Sequence, residues 1–184
     1  MNNLKAIQIM FDLETLGNTP QAPIIQLGAI KFDLKGTILD TFIGDVDLKS
    51  LDKYNFAVDY NTLNWWFNQE DKAIKSIFSD ELVKEPLKLV LFNFIAWIGK
   101  LNDYEYWSHA TFDPPILINN LLQTGHNKAQ LLPYRLFRDI RTITSLANYK
   151  KEFVTFEGIK HNALDDCKYQ IKVITKCFKL LNIV

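Results

Sequence analysis

Apolar positions along the chain follow two periods, and the switches between them outline the elements. Residues 5–11 form the dense apolar run of a buried central strand, with Ile7, Ile9, Met10 and Phe11 in close succession. Gly17, Pro20 and Pro23 mark a loop, after which residues 24–32 predict a second strand. Asp33-Leu34-Lys35-Gly36 is a tight turn, and residues 37–46 return as a third strand. Two antiparallel partners beside a central strand follow from this spacing.

Between residues 51 and 79 the pattern turns to helix and loop, with Thr62 placed to cap a helix containing Trp65 and Trp66. Adjacent residues on a helix diverge by about 100°, so at most one of these tryptophans packs fully inward. The other either lies under a loop or stacks on a base in a substrate cleft. Residues 86–101 predict a helix with Pro86 in its first turn, and residues 104–109 a short strand. Asp113-Pro114-Pro115 opens a helix to about Gln123 that Gly125 ends. Residues 134–140 predict a strand and residues 141–149 a helix. A last helix, capped by Asn162 with Asp165 as a variant capping box, runs to about Asn182 and presents Ile171, Ile174, Cys177, Phe178 and Leu181 on one face. The order describes an α/β fold in one domain over residues 1–184, a mixed sheet with helices on both faces.

Composition narrows the function classes. Hydrophobic residues make up 48% of the chain and the longest apolar runs are cut by charge, which predicts no transmembrane span and no membrane partner. Met1-Asn2-Asn3 leads almost directly into the first strand, which leaves no room for a signal peptide and predicts a cytoplasmic protein. The two cysteines, Cys167 and Cys177, fall in one helix at a spacing that suits neither zinc nor a disulfide framework. Twenty-one basic and 21 acidic residues give zero net charge, which argues against a broad cationic face for long nucleic acid. An enzyme holding a few nucleotides remains compatible, because metal ions supply positive charge at the phosphate.

The candidate chemistry sits in four acids and a histidine. Asp12 and Glu14 are two apart, so an extended chain points both to one face. By itself a D-x-E at a strand end reads as a solvated turn. Asp113 and Asp166 add two more carboxylates at predicted helix starts, where a cap and a metal ligand are equally good readings of Asp113. An all-oxygen set suits Mg²⁺ or Mn²⁺ rather than zinc, and two such ions stabilise the attacking and leaving oxygens of a phosphodiester displacement. His161, five residues before Asp166, has the chemistry to deprotonate a water nucleophile.

Phe11-Asp12-Leu13-Glu14-Thr15, then Phe112-Asp113, then His161-x-Ala163-x-x-Asp166 resemble, in order and across nearly the whole chain, the three motifs of the DEDDh 3′–5′ exonucleases. The resemblance implies a ribonuclease-H-like five-stranded sheet. It also implies hydrolysis of single-stranded RNA or DNA from the 3′ end to nucleoside 5′-monophosphates, with two Mg²⁺ or Mn²⁺ ions. Asp12, Glu14, Asp113 and Asp166 become the metal ligands and His161 the general base, while Thr15 and Leu16 fall where relatives touch the terminal nucleotide. Trp65-Trp66, the stretch from Trp107 through His109 and Phe112 to Leu117, and Arg138-Asp139-Ile140-Arg141-Thr142 are similar to the branch of phage exodeoxyribonuclease DexA and a mycobacterial-type exoribonuclease. Trp65, Trp66, His109 and Phe112 are therefore further candidate substrate contacts. Many relatives carry Asn where this chain has His109. The spacing selects Asp166 over Asp165, and a homodimer is common among similar exonucleases. The same fold without turnover would be a binding module, and an integrase-like endonuclease would lack His161 at this spacing.

Overall fold

The computed structural model describes residues 4–183. Five strands form one sheet in the order β3-β2-β1-β4-β5. They are β1 (Ile7–Thr15), β2 (Ile24–Asp33), β3 (Ile38–Asp45), β4 (Glu105–Ser108) and β5 (Phe137–Asp139). The first three are antiparallel, the β2–β3 pair through the turn at Asp33 and the β1–β2 pair through the loop over 16–23, and β4 and β5 add in parallel on the other side of β1. The central strand therefore lies at the junction of the antiparallel and parallel halves.

Alternation along β1 divides the core. Ile9, Phe11 and Leu13 point to one face and pack against α3 (Leu87–Ile98) and α4 (Asp113–Gln123). Met10 points to the other face, among Ile171, Ile174, Cys177 and Phe178 of α6 (Ala163–Leu180) and Ile140 and Ile143 of α5 (Ile140–Leu146). By the same period Asp12 and Glu14 lie on the α6 face. A smaller apolar cluster joins Leu16 and Ile25 to Trp66 of α1 (Tyr60–Phe67) and Ile77 of α2 (Asp71–Phe78). Both cysteines are buried free thiols in α6.

Gly28 sets how closely α6 approaches the sheet. It pairs with Asp12 across β1 and β2, and a Cβ there would lie 2.4 Å from the Ala163 carbonyl carbon. The Ala163 N–H donates to Gln26 Oε1 (2.8 Å), which anchors the helix start over β2. Only a bare backbone lets the first turn of α6 sit over the strand that neighbours Asp12.

Several boundaries differ from the sequence expectation, each for a local reason. The first strand continues past residue 11 to Thr15, so both acids of the D-x-E are strand residues. Asp59, not Thr62, caps α1: its carboxylate accepts the Asn61 N–H, and Thr62 Oγ1 donates to it as well. Pro86 holds the cap position of α3 rather than its first turn. Phe112 takes the cap position of α4, leaving Asp113 as the first helical residue. The strand expected over 134–140 shrinks to three residues, because Pro133 leads into a 3₁₀ turn over Tyr134–Leu136. Helix α5 starts at Ile140 and stops at Leu146, with Asn148 at φ 47° beyond it. Asn162 caps α6 as expected, but Asp165 completes no capping box: its carboxylate accepts the Ile159 N–H and pairs with Lys168. Leu181 lies past the end of α6 and is exposed.

Candidate active site

The C-terminal ends of β1 and β4 lie side by side, and the acids gather there. Asp12 and Glu14 come from β1, Asp113 from the first residue of α4, just after β4, and Asp166 from the first turn of α6. Asp12, Glu14 and Asp113 are buried. Ligand atoms of Glu14, His161 and Asp166 lie within 4.8 Å of one another.

Backbone donors hold two of the carboxylates in place. The His109 N–H donates to Asp113 Oδ2 (2.8 Å), closing the turn between β4 and α4. The His161 N–H donates to Asp166 Oδ2 (2.9 Å). His161 itself sits at φ 63°, a left-handed conformation uncommon for a side-chain-bearing residue, and the Asp166 contact fixes it there.

The carboxylates are crowded and unneutralised. Burial, then the charges of Asp113, Glu14 and Asp166, push Asp12 well above the usual carboxylate range. Burial and the charges of Asp166 and Asp113 do the same to Glu14. Burial raises Asp113 to about 7 against the backbone N–H groups that favour its ionised form, and raises Asp166 to about 6. Among the described residues none of the four forms a salt bridge. Like charges at this spacing destabilise one another unless protonated or bridged by a cation. The all-oxygen donor set fits a hard divalent ion. For His161, burial and then the neighbouring Lys160 charge lower the pKa, which favours the neutral imidazole at pH 7.

The two tryptophans divide by orientation. Trp66 is buried, and its Nε1–H donates to the Thr15 carbonyl (3.0 Å), so it supports the end of β1. Trp65 is 41% exposed and meets the His161 ring edge-on, 4.7 Å between centroids. Thr15 and Leu16 are both buried: Thr15 Oγ1 donates to the Gly17 carbonyl, and Leu16 packs beside Trp66. Phe112 is half-buried against the core on the Phe11 face, and half-buried His109 lines a separate cavity beside Asp166.

Gln170 is a site residue that the sequence did not single out. Its Nε2 donates to Asp12 Oδ1 (2.8 Å) from one turn beyond Asp166. The i, i+4 spacing from Asp166 was the available signal, since it places both side chains on one helix face. Asp139 has a structural task. Its carboxylate accepts the Ala110 N–H (3.0 Å) and the Thr142 N–H (2.8 Å), tying the β4–α4 turn to the start of α5.

The mixed five-stranded sheet with helices on both faces is a ribonuclease-H-like fold, shared with the solved exonucleases on which it superposes. The model of the Rv2179c-like 3′–5′ exoribonuclease domain matches residues 7–178, and the chain belongs to that family. It is 28% identical to an exodeoxyribonuclease of Enterobacteria phage T4 over an alignment covering 88% of this chain and 85% of the phage protein. The nuclease domain of 3′hExo, a DEDDh family member solved with rAMP, superposes with a TM-score of 0.62 at 17% identity, over 97% of this chain and 94% of that one. E. coli exonuclease I with a dT13 oligonucleotide superposes at 0.69 and 11% identity; the match takes in 97% of this chain but only 42% of exonuclease I.

Proposed function

We propose that the chain acts as a single exonuclease domain that hydrolyses single-stranded RNA or DNA from the 3′ end, releasing nucleoside 5′-monophosphates. The observation that carries this reading is the convergence of four carboxylates from three separated segments beside a histidine whose pKa burial lowers. Asp12, Glu14, Asp113 and Asp166 would hold two Mg²⁺ or Mn²⁺ ions. When bound, such ions offset the charge of the transferred phosphate and stabilise the attacking and leaving oxygens.

The chain's own residues supply the rest. His161 accepts a proton from the attacking water, a role for which a neutral imidazole is required. Asp166 orients His161 through the backbone contact, and Gln170 orients the Asp12 carboxylate. Trp65 offers its exposed ring to the terminal base, while Trp66 holds Thr15 and Leu16 in position from beneath. The buried free thiols fit a reducing cytoplasm.

Digestion of matched 5′-labelled RNA and DNA oligonucleotides tests the reading, using wild-type protein with Mn²⁺ or EDTA and an Asp12→Ala variant with Mn²⁺. The expected result is a ladder shortening from the 3′ end only with metal and only in wild type, the faster substrate showing the sugar preference. Binding without degradation of either oligonucleotide would leave a binding module instead.

A further inference from the structure

A cavity of about 560 Å³ lies on the other side of the sheet from α6, where the start of α3 meets the residues that follow α4. Its walls include Lys53, Lys88, Leu89, Phe92 and His126. None of Asp12, Glu14, Asp113, His161 or Asp166 contributes to it, and no acid is among the described residues that line it. The volume falls within the roughly 300–1,000 Å³ of small-molecule sites.

Three kinds of unmet chemistry border this space. The Lys53 and Lys88 ammonium groups are exposed and form no salt bridge among the described residues. His126 is only 7% exposed, and its ring has a fixed polarity. Thr124 Oγ1 has one hydrogen, which it donates to the carbonyl of Asn120 (2.8 Å) or Leu121 (3.0 Å). Toward His126 Nδ1 (2.9 Å) it therefore accepts, so Nδ1 carries the ring hydrogen. In the neutral ring Nε2 is then a bare acceptor, and no protein group donates to it among the described residues. Burial and the nearby Lys88 charge lower the His126 pKa, against a Leu121 backbone contact that raises it, which favours that neutral form. Buried polar atoms normally find a partner. Finally, Leu89 and Phe92, three apart on one face of α3, leave apolar surface uncovered at 42% and 56% exposure.

We infer that this cavity is a second site, apart from the acidic centre, that binds a free nucleoside 5′-monophosphate. Lys53 and Lys88 hold the phosphate, His126 Nε2 accepts a sugar hydroxyl, and the base lies against Phe92. Inorganic phosphate would satisfy the lysines but leave Phe92 and Leu89 uncovered. A nucleoside without phosphate would leave both lysines unpaired. A monophosphate that carries a sugar and a base meets all three, through charge-assisted hydrogen bonds, one neutral hydrogen bond and a stacked ring. Such a molecule is also the product class of the proposed hydrolysis, and the choice of ligand rests on that reading to this extent. Recognition here needs neither a metal ion nor turnover.

Equilibrium dialysis of the full chain with AMP in EDTA tests the site, because without metal the crowded carboxylates repel a phosphate from the acidic centre. Wild type is expected to bind one equivalent. Lys88→Gln should weaken AMP about tenfold, the effect of losing one charge-assisted hydrogen bond, and Phe92→Ala at least fivefold through the lost stacking surface. Both positions are exposed, so both variants should melt within a few degrees of wild type. On wild type, 2′,3′-dideoxyadenosine 5′-monophosphate should bind about tenfold more weakly than AMP, because it leaves the Nε2 acceptor unpaired. Inorganic phosphate and adenosine should each bind more weakly still. No AMP binding in EDTA, an affinity unchanged in both variants, or phosphate binding as tightly as AMP would overturn the inference. Each of those results is compatible with intact 3′-end digestion, so the failure of this site and the failure of the exonuclease reading are told apart.

Discussion

The two faces of β1 are buried alike and behave oppositely. Phe11 and Leu13 point into the apolar core under α3 and α4, where burial stabilises the chain. Asp12 and Glu14, one residue away along the same strand, point beneath α6, where burial raises their pKa values and sets them against Asp113 and Asp166. One face lowers the folding free energy, and the other raises it for as long as its charges stay unneutralised. Burial therefore marks a stabilising residue only when the buried chemistry is satisfied.

Substitutions on the two faces should break this comparison in opposite ways. The largest expected effect is on turnover. Asp12→Ala should abolish 3′-end hydrolysis, a loss beyond the ~10²–10⁴-fold of a single acid–base group, while the protein stays folded by circular dichroism. Activity within a few-fold of wild type would remove Asp12 from the metal site. His161→Ala should lower kcat by roughly 10²–10⁴-fold without changing the Mn²⁺ concentration needed for half-maximal metal binding. A parallel loss of metal affinity would recast His161 as a ligand. On the other face, Phe11→Ala should cost about 3–5 kcal/mol in denaturant unfolding, yet any folded fraction should keep its metal dependence. The smallest effect belongs to Trp65. Its alanine variant should weaken binding of a short single-stranded oligonucleotide by about 1–3 kcal/mol without moving the melting temperature by more than a few degrees, whereas Trp66→Ala should mainly destabilise. A Trp65 variant that unfolds instead would place that ring in the core.

Much of this division was legible in the sequence, because period-2 alternation alone puts Asp12 and Glu14 on one face and Phe11 and Leu13 on the other. The antiparallel half of the sheet followed from the Asp33–Gly36 turn, and the Asn162 cap located the start of α6. The motif spacing also named the acids that the fold brings together. What escaped depends on tertiary partners. Nothing local distinguishes Gln170 from any polar residue on α6 until Asp12 is placed opposite it. Gly28 reads as a weak strand residue until α6 is seen crossing it at contact distance. Thr62 and Asp165 had the right chemistry for caps, but Asp59 and the Ile159–Lys168 contacts compete more effectively for the same groups. The burial of Thr15 and Leu16 could not be read either, because it depends on Trp66 packing against them from a different element.

The polar face is tested most directly by thermal melting of wild type and an Asp12→Asn/Asp166→Asn variant, each with EDTA or saturating Mn²⁺, at pH 5 and pH 7.5. A carboxyl whose folded pKa exceeds its unfolded value binds more protons folded than unfolded between the two values, so stability falls as pH rises through that window. With Asp113 near 7 and Asp166 near 6, the window for metal-free protein runs from roughly pH 4 to pH 7. At pH 7.5 and about 100 times Kd, Mn²⁺ should therefore raise the wild-type melting temperature by about 5–10 °C, and by less at pH 5. The variant should melt higher than wild type in EDTA at pH 7.5 and show almost no Mn²⁺ shift. Equal Mn²⁺ shifts in both proteins, or none in wild type, would contradict a metal site on this face of β1.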